Sequence, residues 1–263
     1  MTLRPARRAR PGPTTTAGRV LLGGGVALAL AHLPPPGGHD RWQRSNHRGR
    51  TVSLTSGPAL AVAAGAAGGL TQPAAAVTGV LSALLGAYDD LAGSVDKGLR
   101  GHLAALRRGQ VTTGALKVAG LSGTGLLGVA LLPGRRSLPD LLVSGAVVAG
   151  AGNLVNLLDL RAGRALKVAL LAATVLRAPG VAGAVLVLLP EDLRERQMLG
   201  DAGANSIGAL LGLAVVERSG PRGRRTALAV LVALTAASER VSYSAVIDAH
   251  PVLRRVDQLG RLP

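Results

Sequence analysis

The chain has 263 residues, 48% of them hydrophobic, a positive mean hydropathy and a formal net charge of +16. It contains no Cys, which excludes disulfides and thiolate metal sites. Its arginines fall in short clusters between apolar segments, without interleaved aromatics, which argues against nucleic acid and for a membrane flanked by basic residues.

Residues 1–16, rich in Arg, Pro and Thr, read as a disordered basic tail. A spanning helix needs about 20 apolar residues, with about 17 as a lower limit. Candidate spans follow at Ala17–Leu33, Val52–Leu70, Pro73–Tyr88, Thr113–Leu132, Leu138–Leu158, Ala204–Val216 and Thr226–Ala237. The first ends in "AHLPPPGG", without a small-x-small cleavage site, and reads as a retained helix. Residues 96–117 read as an interfacial amphipathic helix and turn, with Leu99, Leu103 and Leu106 on one face and Arg100, Arg107 and Arg108 toward headgroups. Between Ala165 and Pro190 a further apolar region is interrupted by "RAPG", so it is either one kinked helix or a hairpin of two. With almost no aromatic residues, the apolar work falls to Ala, Leu, Val and Gly, which let helices approach closely. The expected fold class is all-α: a polytopic transmembrane bundle of about eight to nine segments over 17–238, followed by a cytoplasmic tail, 239–263.

Three carboxylate sites stand out. Asp89 and Asp90 close one apolar segment and Asp159 another, where the helix macrodipole makes a carboxylate mildly unfavourable, by up to about 1 kcal/mol. Asp201 lies in a glycine-flanked turn before a helix, where an N-cap role would account for it. With nine segments, all three sites fall on one side of the membrane, together with the larger share of basic residues, so that side is expected to be cytoplasmic. Carboxylates about 5 Å apart repel by about 3 kcal/mol at an effective dielectric of 20. A hard divalent cation removes that cost, and oxygen-only ligands suit Mg²⁺.

Four stretches, in order, resemble the motifs of the polyprenyl-phosphate N-acetylhexosamine-1-phosphate transferases: "NHRGRTVSLTSGP", "GAYDD", "NLVNLLD" and "MLGDAGANSIG". The resemblance covers about Asn46 to Ser238. It implies transfer of a phospho-N-acetylhexosamine from a UDP-sugar to polyprenyl (undecaprenyl) phosphate at the cytoplasmic face of the cell membrane, with release of UMP. It further implies Mg²⁺, or Mn²⁺, as cofactor, with Asp201 as its ligand. By the same resemblance Asp89, Asp90 and Asp159 are catalytic, and Arg48, Arg50, Lys97, Asn153 and Asn156 bind substrate. The partners implied are polyprenyl phosphate, a UDP-sugar, membrane lipids and a second copy of the chain, with no nucleic acid.

The sequence also departs from the family. Gly93 replaces an acid or lysine, Ala162 an aspartate and Ala204 a serine, and the histidine-rich loop that selects the sugar is absent, leaving His250 alone near the C-terminus. The alternative reading is therefore a non-catalytic relative that binds polyprenyl phosphate or serves as a partner subunit in envelope assembly.

Overall fold

The computed structural model describes residues 13–69, 72–92 and 113–262. Residues 1–12, Lys97 and most of the expected interfacial helix at 96–117 lie outside the described residues. Eleven α-helices form among those described. The first four are α1 (Pro13–Ala31), α2 (Ser56–Gly69), α3 (Pro73–Ala92) and α4 (Thr113–Ala130). Then come α5 (Leu138–Leu158), α6 (Arg164–Val175), α7 (Pro179–Leu193) and α8 (Gly200–Arg218). The chain finishes with α9 (Pro221–Ser238), α10 (Tyr243–Ala249) and α11 (Pro251–Gln258).

The bundle is arranged around α8. Between Ala202 and Val216 this helix is apolar or small-sided apart from the buried Asn205, as suits a helix surrounded by others. It packs most extensively against α5 and α3, and also against α2. Leu60, Leu166, Leu199, Ile207 and Val185 form one core on its α2 and α7 side; Val129, Val147, Val148, Leu213 and Val216 form a second toward α4 and α5. Close approach of α3 to α8 depends on Gly86, where a Cβ would stand 2.3 Å from the carbonyl oxygen of Asp201.

Among the described residues two helices, α3 and α5, are long and apolar enough to cross a membrane alone, and α9 with α10 qualifies as a bent pair. That is fewer than the eight or nine segments expected. For α2 and α6 the physical reason is length: at 14 and 12 residues they reach about 21 and 18 Å, short of a hydrocarbon core of about 30 Å. The interruption at Arg177–Gly180 resolves as a break between two helices, α6 and α7.

The segment expected as a span from Val52 instead begins with a small antiparallel hairpin, β1 (Gln43–Ser45) and β2 (Thr51–Ser53). Ser53 donates its N–H to the Arg196 carbonyl at 3.0 Å and accepts from Met198 N–H at 2.9 Å. The hairpin is thereby stitched to the loop between α7 and α8. Within the expected tail, 239–263, the described residues form α10 and α11, which dock back on the start of α6.

Candidate functional site

Asp89 and Asp90 occupy the last turn of α3 and take different roles. Asp90 reaches the start of α8, where its Oδ1 accepts the Asp201 N–H and its Oδ2 the Ala202 N–H, both at 3.0 Å. A helix leaves its first N–H groups unpaired, and a carboxylate at that end also complements the macrodipole. Helix α8 has Leu199 at its N-cap position and no side-chain cap of its own. The cap that the sequence suggested for Asp201 is thus supplied by Asp90 from another helix. Gly200 makes this geometry possible: its φ is +60°, and a Cβ there would meet Asp90 Oδ2 at 2.9 Å. The Arg44 guanidinium on β1 donates to the Asp90 carbonyl, tying the hairpin to the same helix end.

Asp201 turns its side chain the other way. Lys117 of α4 donates to Asp201 Oδ2 and, at 3.4 Å, to Asp89 Oδ2. The two carboxylates that a divalent cation was expected to reconcile are reconciled by an ammonium. Sequence reasoning missed Lys117, although a signal was present. It is the lone charge in the apolar helix "TGALKVAGLSGTGLLGVA", one turn in from its start, and a charge in an apolar helix is costly unless a partner awaits it.

Asp159 is the C-cap residue of α5, its N–H donating to the Asn156 carbonyl at 3.1 Å. Its side chain is buried, and Oδ2 has no hydrogen-bond partner among the described residues. Burial pushes this carboxyl well above the ordinary aspartate range. The Asp192 charge adds to the rise, as do Asp201 and Asp90, while the Gly200 N–H offsets part of it. Asp159 therefore sits among like charges, Asp192 foremost, with Asp201 and Asp90 contributing less.

Asn153 and Asn156, one turn apart on α5, face a cleft of about 510 Å³ between the end of α3, α4, α5 and α9. Asp89, Lys117, Asn153, Asn156, Thr235 and Glu239 supply its polar wall, and Leu121, Leu157, Leu228 and Leu231 part of its apolar one. Asn153 Nδ2 donates to Thr235 Oγ1 at 3.3 Å across the cleft.

Arg48 and Arg50 lie in and beside the hairpin turn and pair with Glu195, at 3.0 and 3.6 Å. Asn46 Nδ2 also donates to Glu195, at 2.9 Å. Burial works against the Glu195 carboxylate, but these hydrogen bonds and the two guanidinium charges outweigh it and hold its pKa below the ordinary value. The two arginines are thus committed to a protein carboxylate, and Glu195 is a second organiser that sequence reasoning did not single out.

The donor set suits Mg²⁺ in one respect: Asp89 and Asp201 face a single cation, and Mg²⁺ bound beside a diphosphate commonly takes one or two carboxylates. Among the described residues no three acidic or histidine side chains are grouped to hold a metal by themselves. The remaining positions would have to come from phosphate oxygens and water, with the Lys117 ammonium displaced or retained beside them.

The chain matches no protein-family model, and no curated protein matches it.

Proposed function

We propose that this chain is a polytopic membrane phosphoglycosyl transferase, acting at the cytoplasmic face of the cell membrane. It would pass a phospho-N-acetylhexosamine-type sugar from a UDP-sugar to polyprenyl phosphate. The observation that carries the reading is that Lys117 joins Asp89 to Asp201 while Asp89 and Lys117 line the same cleft as Asn153 and Asn156. Those residues come from three of the four motif stretches and from the one charged position of α4.

In this reaction an oxygen of polyprenyl phosphate attacks the sugar-bearing phosphorus of the donor. A new P–O bond forms, the bond to the bridging oxygen of the diphosphate breaks, and UMP leaves with that electron pair. Asp89 and Asp201 would hold Mg²⁺ or Mn²⁺, which when bound neutralises diphosphate charge. The Lys117 ammonium supplies a fixed positive charge for phosphate oxygens at the same wall. Asn153 and Asn156 offer amide donors and acceptors to the nucleotide or sugar. Asp90 acts as a positioning residue, because both its oxygens hold the first turn of α8 and so set where Asp201 stands.

One observation favours a second reading, the non-catalytic relative: Lys117 already bridges Asp89 and Asp201, occupying the place a catalytic cation would take. UMP release separates the two. Purified protein is incubated with Mg²⁺, undecaprenyl phosphate and a panel of UDP-sugars, beside Asp201→Asn. Release from one donor that disappears in the variant supports the transferase. Binding of undecaprenyl phosphate without release from any donor refutes the transferase in favour of the relative.

A further inference from the structure

The last two helices invert the usual arrangement of a surface helix. On α11 the buried residue is polar: Asp257 is 7% exposed, while Val252 and Val256 are 60% and 59% exposed. Asp257 is pinned by Arg164 Nε at 2.8 Å and Nη2 at 3.0 Å, and by Arg261 Nη2 at 2.8 Å. Lys167 Nζ adds bonds to the carbonyls of Val256 and Asp257, at 3.2 and 2.7 Å. Arg164 is itself buried and also donates to Ser244 Oγ of α10, at 2.9 Å. A buried bidentate arginine and carboxylate pair fixes orientation as well as position. The latch therefore holds α11 with its apolar residues pointing away from the protein.

We infer that α10 and α11 form an in-plane membrane anchor, with the Val252, Leu253 and Val256 side of α11 inserted into the lipid interface of an anionic leaflet. Three observations support it. First, α10 meets α9 at 88° across a short break. Helix α9, at 18 residues, covers about 27 Å, but Arg222, Arg224 and Arg225 occupy its start, so its apolar part, residues 226–238, reaches about 20 Å. If it enters the membrane, the helix that follows at a right angle runs along the surface and adds almost no depth. Secondly, Val252 and Val256 are four residues apart and Leu253 and Val256 three, so they share one side of α11, while Arg254, Arg255 and Gln258 occupy the remainder and are exposed. A short helix of low mean hydropathy with segregated faces and basic residues is the pattern of an interfacial helix. Thirdly, exposed Val230 and Leu234, one turn apart on α9, present a further apolar surface on the adjoining helix. The exposed arginines beside the apolar side match anionic headgroups in charge.

This inference does not depend on the transferase reading. The absence of Cys permits a direct test, since a single cysteine can be introduced at exposed sites without touching the latch. Full-length Val256→Cys and Gln258→Cys are labelled with an environment-sensitive fluorophore and reconstituted, one copy per nanodisc, in lipid containing phosphatidylglycerol. The depth expected is about 5–10 Å below the headgroup boundary. The expected result at position 256 is a blue-shifted emission, quenching by shallow doxyl-labelled lipid and protection from aqueous iodide; position 258 shows iodide quenching. Equal iodide access at both positions overturns the anchor. Protection at 256 that appears only when two copies share a disc also overturns it, in favour of a dimer contact. In Arg164→Gln, the contrast between the two positions should fall, because the latch no longer holds one side outward; an unchanged contrast would refute the latch as its cause.

Discussion

The Lys117 bridge gives the most direct test of how this site is held together. At 3.4 Å and an effective dielectric of about 20, the Lys117 ammonium and the Asp89 carboxylate attract by about 5 kcal/mol. Part of that gain is offset by removing the ammonium from water, but once assembled the group cannot lose its cation cheaply. In Lys117→Met, Asp89 and Asp201 face each other unneutralised. Breaking a buried pair commonly costs about 3–5 kcal/mol, and the partial exposure of these groups favours the lower end. For a chain of this size about 3 kcal/mol corresponds to a fall in Tm of about 6–12 °C. Mg²⁺ should recover much of the loss, since it is the alternative cation for the same oxygens, and should raise the Tm of the variant more than that of the wild type. Adding Asp201→Asn to Lys117→Met removes the repulsion, so the double variant should be more stable than the single one. The assay is thermal unfolding in detergent, with and without Mg²⁺. A Lys117→Met protein with unchanged Tm and the wild-type response to Mg²⁺ would refute the bridging role.

Three other outcomes are expected. Asp90→Asn keeps the shape but offers one acceptor oxygen to two N–H donors, so it should destabilise by about 2 kcal/mol and be detected as faster hydrogen exchange in the first turn of α8. Because the folded state raises the Asp159 pKa, the folded protein keeps a proton that the unfolded chain has released above about pH 3.9. Its contribution therefore becomes less favourable as pH rises toward the folded value, and a pH series of Tm values should show a shallower fall in Asp159→Asn than in wild type. Gly86→Ala forces α3 away from the Asp201 carbonyl, at a cost of about 1–3 kcal/mol or more, and should lower both Tm and any UMP release.

Much of the architecture was legible along the chain because helix formation and apolar composition are local properties. The breaks at "RAPG" and before α8, the helix-end positions of Asp89, Asp90 and Asp159, and the grouping of Asn153 with Asn156 on one face follow from residue types and a 3.6-residue period. What the chain by itself could not convey is which ends meet. Asp90 caps α8 across 111 residues, and Lys117 reaches Asp201 across 84. No periodicity encodes such pairings; they follow from glycine-mediated contact at Gly86 and Gly200 and from the energetic need to pair charges in an apolar interior. The C-terminal residues 251–258 teach the same lesson from the other direction. Their amphipathic pattern is local, but only the packing of Arg164 against Asp257 decided that the apolar side would face outward. The sequence by itself determined where most of the helices form and that Asp89, Asp90 and Asp159 are out of place; tertiary structure decided which charges answer one another, because electrostatic partners are chosen in space rather than along the chain.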